Sequence, residues 1–391
     1  MNIQQISIRI KEAVRNIAER TNTAETVTFR GKTVRIKPGR IIIVFAALLV
    51  LIIVLSSLVG LLSDRVKTVD ISVDTGGDYT AIQSGSAMVL YNKQHMMAIN
   101  RKGKLLWKTN TAMSQPVAET AGKYVLVYDL GGKNYAALYK NGERVTEYNL
   151  GNDIISAKVN KSGDAVFATD TVGYKGNVKV FDKKGNERFS WNSGDGYILD
   201  AALKNGGRQL AIAQFRSDTD KAASSIQFID IPRKKLISTT IREESVISEI
   251  RYCRGKLTVV SDNDMFRISA SGHVSGEVSF AGKKPGKYSI ANDKTFAFVT
   301  EDNRGNTVLE LYSAGGRLKG RYQADAPINN FDVCDSGIAA ARRSDVLCIS
   351  SSGKLKKSIS AGSDIKSIGV FRDGKYALVI GSTSVCTVRL K

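Results

Sequence analysis

The stretch that decides the fold is AINRKGKLLW, from Ala98 to Trp107, in which one apolar run ends, a polar turn follows at Gly103, and a second apolar run begins. Weaker copies read VFDKKGNERF at residues 180–189 and ISSSGKL at residues 349–355. Each copy is typical of two strands joined by a tight turn, because glycine readily adopts the backbone angles that such turns need. The pattern therefore predicts a repeated hairpin.

Two series of turns alternate along the chain after residue 80. The first series, with steps of 37 to 48 residues, comprises Gly85, Gly122, Gly163, Gly207, Gly255, Asp293, Gly337 and Gly374. The second series follows the first by 16 to 25 residues and comprises Gly103, Gly142, Gly185, the Ile231-Pro232-Arg233 turn, Gly272, Gly316 and Gly353. Two interleaved turns imply a unit of four strands in about 40 residues, which is the pattern of a β-propeller blade. A stacked solenoid is the competing architecture, but its units are usually shorter or helical.

The two ends of the repeat array predict a closed ring. The last unit has a third strand, residues 384–390, and the chain stops where a fourth strand is due. Residues 68–73 alternate apolar and polar side chains and supply the missing strand. Closure of this kind removes two exposed sheet edges. We predict an all-β, eight-bladed β-propeller closed by strands from both ends, with seven blades as the alternative if the Asp293 unit or the first unit is misread.

One uncharged segment of 22 residues, Ile41 to Leu62, precedes the repeats. A helix of roughly 20 residues crosses the hydrocarbon core of a bilayer, so the segment predicts one transmembrane helix. A cleaved signal peptide has a shorter apolar core, which favours an uncleaved anchor. Lys and Arg crowd its N-terminal side, and this places the N-terminus in the cytoplasm and residues 63–391 outside the cell.

Residues 1–40 form a basic tail with nine Lys/Arg and three Glu. Apolar residues between Ile3 and Glu19 recur at helical spacing and predict an amphipathic helix, either on the anionic inner leaflet or against a partner. Val27–Phe29 and Val34–Ile36 predict a small hairpin. Forty residues bury too little apolar surface for an enzyme domain, so this region is interpreted as a cytoplasmic tail.

The Gly-Lys-Leu-Leu-Trp run at 103–107 resembles the repeat of pyrroloquinoline-quinone-type propellers. An anchor followed by a propeller resembles an uncharacterised family of membrane-anchored propellers from Gram-positive bacteria, over residues 68–391. In the quinone-dependent enzymes of this fold, repeated tryptophans brace the blades and carboxylates hold a calcium ion. Only Trp107 and Trp191 are present here, which departs from that pattern. The resemblance also extends to non-enzymatic assembly-factor propellers, which act as docking platforms.

Two Asp-Thr/Ser-Gly triplets, Asp74-Thr75-Gly76 and Asp335-Ser336-Gly337, are the most specific catalytic candidates. Aspartic proteases place two such carboxylates side by side, where they share one proton. The turn series explains both triplets, because Asp, Ser and Gly are ordinary turn residues. We therefore predict turns at both places and no protease.

The remaining motifs predict no reaction. His95 and His273 belong to the first and fifth units, which argues against a shared metal site or a catalytic base. Residues 282–287 (GKKPGK) lack the spacing of a phosphate-binding loop. Asp262-Asn263-Asp264 and Glu301-Asp302-Asn303 lack the full ligand order of a calcium loop. The cysteines show no C-x-x-C spacing and are predicted to be small buried side chains, with one disulfide as the alternative: Cys253, Cys334, Cys348 and Cys386.

The net charge is +20, and Lys and Arg occur in every unit, but no nucleic-acid motif is present. The leading hypothesis is a single-pass membrane protein whose extracytoplasmic propeller is a scaffold for other envelope proteins. It predicts contact with membrane lipid, no enzymatic activity, no catalytic residue, no cofactor and no metal, and it identifies no binding residue. The alternatives are binding of an anionic cell-wall polymer by the basic surface and, less favoured, a quinone-dependent enzyme.

Overall fold

The structure, a computed structural model, describes residues 25–29, 32–36, 67–68, 78–131, 135–216, 222–280, 285–291, 295–301, 307–334 and 336–390. The chain divides into two compact units, residues 1–65 and 66–391. In the first unit, β1 (Glu25–Phe29) pairs antiparallel with β2 (Lys32–Ile36), and Phe29 lies opposite Lys32. This pairing confirms the predicted hairpin. The predicted helices at residues 3–19 and 41–62 lie outside the described residues, among which no helix long and apolar enough to cross a bilayer occurs.

Eight four-stranded antiparallel sheets, the blades, form the second unit. Blades 1 and 2 comprise β4 (Thr80–Ser84), β5 (Ala87–Tyr91), β6 (His95–Ile99), β7 (Leu105–Asn110), β8 (Pro116–Ala121), β9 (Tyr124–Asp129), β10 (Ala136–Lys140) and β11 (Glu143–Tyr148). Blades 3 and 4 comprise β12 (Ile154–Val159), β13 (Ala165–Thr169), β14 (Asn177–Phe181), β15 (Glu187–Asn192), β16 (Tyr197–Leu203), β17 (Gln209–Arg216), β18 (Ala223–Asp230) and β19 (Lys235–Glu243).

Blades 5 and 6 comprise β20 (Ile247–Cys253), β21 (Lys256–Ser261), β22 (Asp264–Ile268), β23 (Val274–Ser279), β24 (Lys287–Ala291), β25 (Thr295–Glu301), β26 (Thr307–Ser313) and β27 (Leu318–Gln323). Blades 7 and 8 comprise β28 (Asn330–Cys334), β29 (Gly337–Arg342), β30 (Asp345–Ser350), β31 (Leu355–Ser360), β32 (Ile365–Val370), β33 (Tyr376–Gly381), β34 (Val385–Arg389) and β3 (Lys67–Thr68).

The last blade joins the two ends of the propeller. Its strand order is β3-β34-β33-β32, and β3 pairs antiparallel with β34, Lys67 opposite Thr387 and Thr68 opposite Cys386. The prediction of eight blades closed from both ends is confirmed, and the seven-bladed alternative is wrong. Residues 69–73 of the predicted closing strand lie outside the described residues.

The turns follow from local chemistry. In the 98–107 stretch the Asn100 side-chain oxygen accepts hydrogen bonds from the backbone N–H groups of Lys102 and Lys104, at 2.9 and 3.0 Å. This side-chain turn is completed by Gly103, whose φ is +81°. In blade 4, where the second-series turn has no glycine, Lys234 adopts the positive φ (+49°).

The hydrophobic core lies between neighbouring blades. The second and third strands of a blade are covered on both faces, so they are nearly continuous apolar runs, as in Tyr124–Asp129. One core cluster joins Leu126 and Leu138 of blade 2 to Ile154 and Phe167 of blade 3. The fourth strands are largely exposed. Each blade is therefore stabilised mainly by its neighbours, as expected for a ring of repeats.

The antiparallel strands give the propeller two distinct ends. The turn face carries the turns that join strands 1 and 2, and strands 3 and 4, of each blade, and both predicted turn series lie there. The loop face carries the connections between strands 2 and 3 and between successive blades. First strands of neighbouring blades contact each other, as β12 contacts β16 and β16 contacts β20, and they line the central channel.

Candidate functional site

Five charged residues meet on the inner strands of blades 2 to 5 and form the channel cluster. Its members are Glu119 on β8, Lys158 on β12, Asp200 on β16, and Glu249 and Arg251 on β20. No pair among the first four of these residues comes from the same blade, so the packing of the blades around the channel brings them together.

Arg251 is the centre of this cluster. Its Nε donates to Glu249 at 2.9 Å, and its Nη2 lies 3.3 Å from the Glu119 carboxylate. The Tyr288 hydroxyl of blade 6 donates to the other oxygen of Glu249 at 2.7 Å. Blades 2, 5 and 6 are therefore connected through one guanidinium and two carboxylates, with charge-assisted hydrogen bonds.

Lys158 links three successive blades. Its ammonium pairs with Asp200 of blade 4 and donates to the Ile250 carbonyl of blade 5 at 2.8 Å. Asp200 in turn accepts from the backbone N–H groups of Ile250, at 2.8 Å, and Ala201, at 2.9 Å. The two side chains are almost fully buried, 11% and 5% exposed, so their mutual neutralisation is needed for stable burial.

The two glutamates of the cluster differ in proton affinity. Burial raises the pKa of Glu119 above its usual range, an effect that Arg251 and Lys158 only partly offset. Burial would also raise the pKa of Glu249, but Arg251, Lys158 and the Tyr288 hydroxyl lower it to about 2. Glu119 accordingly raises the pKa of Arg251. The guanidinium therefore stabilises the charge of Glu249 more fully than that of Glu119.

A second buried carboxylate joins blades 6, 7 and 8. Asp332 accepts from the Ser289 hydroxyl at 2.8 Å, from its neighbour Val333 N–H at 2.8 Å and from the Val370 N–H at 2.7 Å. Burial raises the pKa of Asp332 in spite of these bonds. Like Asp200, it uses one oxygen on the next amide of its own strand and the other on the next blade. Both carboxylates are interpreted as blade-to-blade links.

The loop face has a pocket of about 670 Å³ beside the channel mouth, between blades 5, 6 and 7. Apolar side chains line it at Val246, Val260 and Phe331, and Tyr288 connects its wall to the channel cluster. Asp262 lies on its rim, where it accepts from the Val246 N–H at 2.9 Å. The mixture of apolar walls and a few polar groups is typical of a recognition site.

Large apolar side chains are also exposed elsewhere on this face. Val172 is 98% exposed, and Tyr174 and Tyr197 are each more than half exposed, around the connections of blades 3 and 4. Lys175 lies over the Tyr197 ring, with Nζ 4.4 Å from its centroid. The full set on the loop face and the adjoining strand starts is Leu130, Ile155, Val172, Tyr174, Tyr197 and Val246. We call these six residues the loop-face patch.

The loop-face connections are acidic. Their described residues include eight acidic side chains and only three basic ones. The acidic residues are Asp78, Asp153, Asp170, Asp195, Glu244, Asp262, Asp325 and Asp364, and the basic residues are Lys93, Lys175 and Arg343. The described connections of this face therefore carry a net charge of the opposite sign to that of the chain as a whole.

The two histidines, His95 and His273, lie in different blades, as predicted. His95 begins β6 in blade 1, beside the loop face, and its Nδ1 lies 3.1 Å from the Asn110 side-chain oxygen. His273 lies in a turn-face turn of blade 5. Within the described part of the chain, no group of three or more His, Cys, Asp or Glu side chains is arranged to hold a metal ion.

Of the predicted triplets, Asp74 and Asp335 lie outside the described residues. Gly337 begins β29, and a Cβ there would collide with the Ile349 carbonyl oxygen, so packing explains the glycine. In the Asp262–Asp264 fragment, Asp264 accepts from the Ser261 hydroxyl at 2.6 Å and lies 3.5 Å from Arg242. All four cysteines are buried and none forms a disulfide, as predicted.

The GKKPGK and calcium-like motifs are only partly described, and their described residues form no separate binding site. Pro285, Gly286 and Lys287 line the loop-face pocket. Residues 281–284 and 302–306 lie outside the described residues. Sequence reasoning missed Glu119 and Arg251, which are 132 positions apart. The one available signal was a charged residue within an otherwise apolar inner strand.

Trp107 braces two blades. A Cβ on Gly142 of blade 2 would lie 2.5 Å from Cγ of Trp107, so the indole of blade 1 packs directly over that glycine. Trp191 packs against the core shared by blades 3 and 4. Trp107 thus braces blades 1 and 2. Trp191 lies two positions beyond Phe189, which is the equivalent of Trp107 in its repeat, and the channel carboxylates are engaged by Arg251 and Lys158.

Residues 64–390 match DUF5711, which is described as a family of unknown function. No curated protein sequence matches the chain. Solved structures with a similar fold include BamB from Moraxella catarrhalis, with 12% identity and a TM-score of 0.53 over 83% of this chain and 97% of that one. The C-terminal WD40 domain of Sif2 has 13% identity and a TM-score of 0.58, over 83% and 98%.

The dihydro-heme d1 dehydrogenase NirN, in complex with DHE, is similar with 12% identity and a TM-score of 0.52, over 79% of this chain and 69% of that one. These similarities show the propeller fold alone, because proteins that share a fold at such identities differ widely in function.

Proposed function

The chain belongs to DUF5711, a family of unknown function, and we propose that it is a membrane-anchored scaffold whose loop face binds other proteins of the cell envelope. The observation that carries this proposal is the loop-face patch, six large apolar side chains exposed among carboxylates. Propeller loops are held by a rigid ring, which suits recognition without a conformational change. No catalytic step is needed for this role.

The composition of the patch favours a protein partner. Tyrosine supplies a large contact area with a polar end, and exposed tyrosines at the centre of an interface often contribute most of its binding free energy. Val172, Tyr174 and Tyr197 belong to adjacent connections, so one partner segment can contact all three. The pocket between blades 5 and 7 offers an additional recess on the same face.

The acidic loop face specifies the charge of this partner. Eight carboxylates lie on the described loop-face connections, and three of them are paired with cations of the strands: Asp78, Asp195 and Asp325. The remaining carboxylates favour a segment with both basic and apolar residues as the complement. Complementary charge increases the association rate and excludes acidic competitors. The proposed partner is therefore an envelope protein with a basic, aromatic or aliphatic docking segment.

The channel cluster does not carry the proposed function. Glu249 and Asp200 are held in ion pairs by Arg251 and Lys158 respectively, and Arg251 also lies against Glu119. A bound cation at this place would have to displace an ammonium or a guanidinium group. The cluster is interpreted as a structural closure of the channel.

The proposed anchor is the segment 41–62, with residues 63–391 outside the cell. Its uncharged length and the basic flank at residues 30–40 support this orientation. The test is the full chain in sealed vesicles of known sidedness, treated with protease. Digestion of the propeller only from the extracytoplasmic side is expected. Release of the protein by alkaline carbonate, or digestion from the cytoplasmic side, would overturn the proposal.

Partner binding is tested by photocrosslinking in the full chain. A photoreactive residue replaces Tyr174 or Tyr197 on the loop face, and Lys184 on the turn face serves as the matched exposed position. The expected result is one envelope protein crosslinked from both loop-face positions and not from Lys184. Equal crosslinking from the two faces would contradict a loop-face site.

The contribution of the patch is then measured with the purified partner. Tyr197→Ala and Val172→Asp should each weaken binding by roughly tenfold or more, because each removes an exposed apolar contact from the proposed interface. Ser382→Ala, on another loop-face connection, is the control and should leave the affinity unchanged. Unchanged affinity in both patch variants would exclude this surface.

A further inference from the structure

The turn face has the opposite charge to the loop face. Its described turns carry sixteen basic side chains and three acidic ones. The basic residues are Arg101, Lys102, Lys104, Lys123, Lys161, Lys183, Lys184, Lys204, Arg208, Arg233, Lys234, Arg254, Arg317, Lys354, Arg372 and Lys375. The acidic residues are Asp164, Asp182 and Asp373. The basic residues occupy turns of both predicted series. Because the antiparallel topology places both series at the same end of the propeller, these residues all lie on the turn face.

These cations are available to a ligand. All but Lys204 are exposed. Within the described residues, only Arg101 and Arg233 bring a nitrogen within 4.0 Å of a carboxylate oxygen, that of Asp373 and Asp230 respectively. Asp164, one of the three acidic residues, is buried. The positive field of this face is therefore largely uncompensated by the protein itself.

Exposed aliphatic side chains adjoin the cations. Each lies at the start of a fourth strand, directly after a turn-face turn, and Leu106 and Leu236 are 51% and 50% exposed. The set is Leu105, Leu106, Val145, Leu236, Ile237, Leu318 and Leu355. Basic residues next to exposed leucines are typical of surfaces that lie in the interface between water and a bilayer. A soluble polyanion would give no reason for the leucines.

The chain enters the propeller at this same face. Strand β34 starts after the loop-face residues 382–384 and runs to the turn face, and β3 is antiparallel to it. Lys67 therefore lies at the turn-face end of β3. Five residue steps separate Leu62, the end of the proposed anchor, from Lys67, and an extended chain covers at most about 18 Å in that length. On the proposed anchor, a link this short would keep the turn-face end of β3 within reach of the bilayer surface.

We infer that the turn face docks on anionic phospholipid head groups of the membrane that holds the anchor, with the cations on the phosphates and the leucines at the acyl boundary. This inference rests on the proposed anchor, and it leaves the acidic loop face directed away from the bilayer. Each basic residue near an anionic surface adds a modest favourable interaction, and sixteen on one face act together.

The test uses the full chain in nanodiscs of phosphatidylcholine, with or without phosphatidylglycerol. A fluorophore is attached at Leu236→Cys on the turn face or Tyr197→Cys on the loop face, and a head-group quencher lipid reports proximity. The native cysteines are buried and are expected to react slowly. Docking predicts quenching at position 236 that increases with phosphatidylglycerol and decreases with salt, and little quenching at position 197.

Two sets of variants at the same positions separate charge from structure. Lys183→Gln, Lys184→Gln, Arg233→Gln and Lys234→Gln together should reduce the docked-to-undocked ratio at least about tenfold. The charge-retaining set, Lys183→Arg, Lys184→Arg, Arg233→Lys and Lys234→Arg, should keep it. Equal loss in both sets, or quenching that is indifferent to lipid charge, would overturn the inference.

Soluble poly(glycerol phosphate) is the second probe, added to the phosphatidylcholine nanodiscs. If it binds the turn face as tightly as phosphatidylglycerol does and leaves position 236 unquenched, a wall polymer replaces the membrane as the ligand. Failure of docking is distinguishable from failure of the proposed function. An anchored chain with no lipid-dependent quenching refutes docking alone, and carbonate release refutes the anchor.

Discussion

The guanidinium of Arg251 in blade 5 lies 3.3 Å from the carboxylate of Glu119 in blade 2, across the channel of an eight-bladed ring. These blades are not neighbours, so the ion pair restrains the ring over a longer distance than any blade-to-blade contact. Glu249, on the same strand as Arg251, holds the guanidinium in place. Most contacts in a propeller join adjacent blades, and this one adds a connection across the axis.

Arg251→Met is expected to destabilise the protein by about 2–3 kcal/mol, because it leaves two buried carboxylates without their cation. The value is below that for a fully buried pair, since the Arg251 side chain is 38% exposed to the channel. Denaturant unfolding measures the change. Arg144→Met is the matched control in an exposed pair with Glu147 and should destabilise the protein much less, because solvent screens the pair. Equal destabilisation by the two substitutions would show that the channel ion pair contributes no more than an exposed surface pair.

Glu119→Gln in the Arg251→Met background tests the coupling. One uncompensated carboxylate is then removed, so the double variant should be more stable than Arg251→Met alone. If the effects of the two single substitutions on the free energy of unfolding simply add in the double variant, the two side chains do not interact, although they lie close together.

Acid stability should depend on Glu249. Its pKa is about 2 in the folded protein, against an ordinary value of 4.5, so its contribution is present above pH 4.5 and is lost as the pH falls toward 2. The difference corresponds to about 3 kcal/mol. Glu249→Gln should flatten the dependence of the unfolding free energy on pH in that range. Glu187→Gln, at an exposed carboxylate, is the control and should preserve the wild-type slope.

The ionisation of Glu119 should have the opposite effect on the pH dependence of stability. Its pKa is raised in the folded protein, so its ionisation disfavours folding, and stability decreases as the pH rises from 4.5 through the raised pKa. Glu119→Gln should therefore reduce this loss on the alkaline side of pH 4.5. A steeper loss in the variant would show that Arg251 outweighs burial at this site.

Gly142→Ala should destabilise the protein by at least about 2 kcal/mol, because φ is +90° and the new Cβ would meet the Trp107 ring. Gly131→Ala is the matched control, with φ +65° and nothing within 4 Å of the new Cβ. It should show only the backbone cost of about 1 kcal/mol. Thermal unfolding compares the two variants, and equal shifts would deny that Trp107 packs tightly on blade 2.

Ring closure can be trapped by a disulfide. Thr68 lies opposite Cys386 in the β3–β34 pair, so Thr68→Cys should crosslink to Cys386 and raise the midpoint of thermal unfolding. Burial raises the pKa of Cys386 to about 11, so the reaction should be slow at neutral pH and faster under alkaline conditions. Lys67→Cys, which lies opposite Thr387, is the control and should crosslink poorly.

Features that depend on neighbouring residues were predictable from the sequence, whereas contacts between distant residues were not. The turns at Gly103 and at the other positions of the two series follow from a few neighbouring residues, so the turn series predicted the blades and their number. The closing strand was predicted over residues 68–73; the pairing of Thr68 confirms its start and adds Lys67, and residues 69–73 lie outside the described residues. Pairing register depends on the partner strand, which lies more than 300 residues away in the sequence.

The sequence by itself determined the blade repeat, the closed ring, the buried cysteines and the turns on which sixteen of the basic residues lie. Turn conformation and strand alternation are short-range properties, set by backbone preferences within about ten residues. Only the tertiary structure decided that Glu119 meets Arg251, that the loop-face patch lies among carboxylates, and that cations and leucines share the turn face. Side chains far apart in the chain become neighbours only when the ring closes, and no local pattern records that geometry.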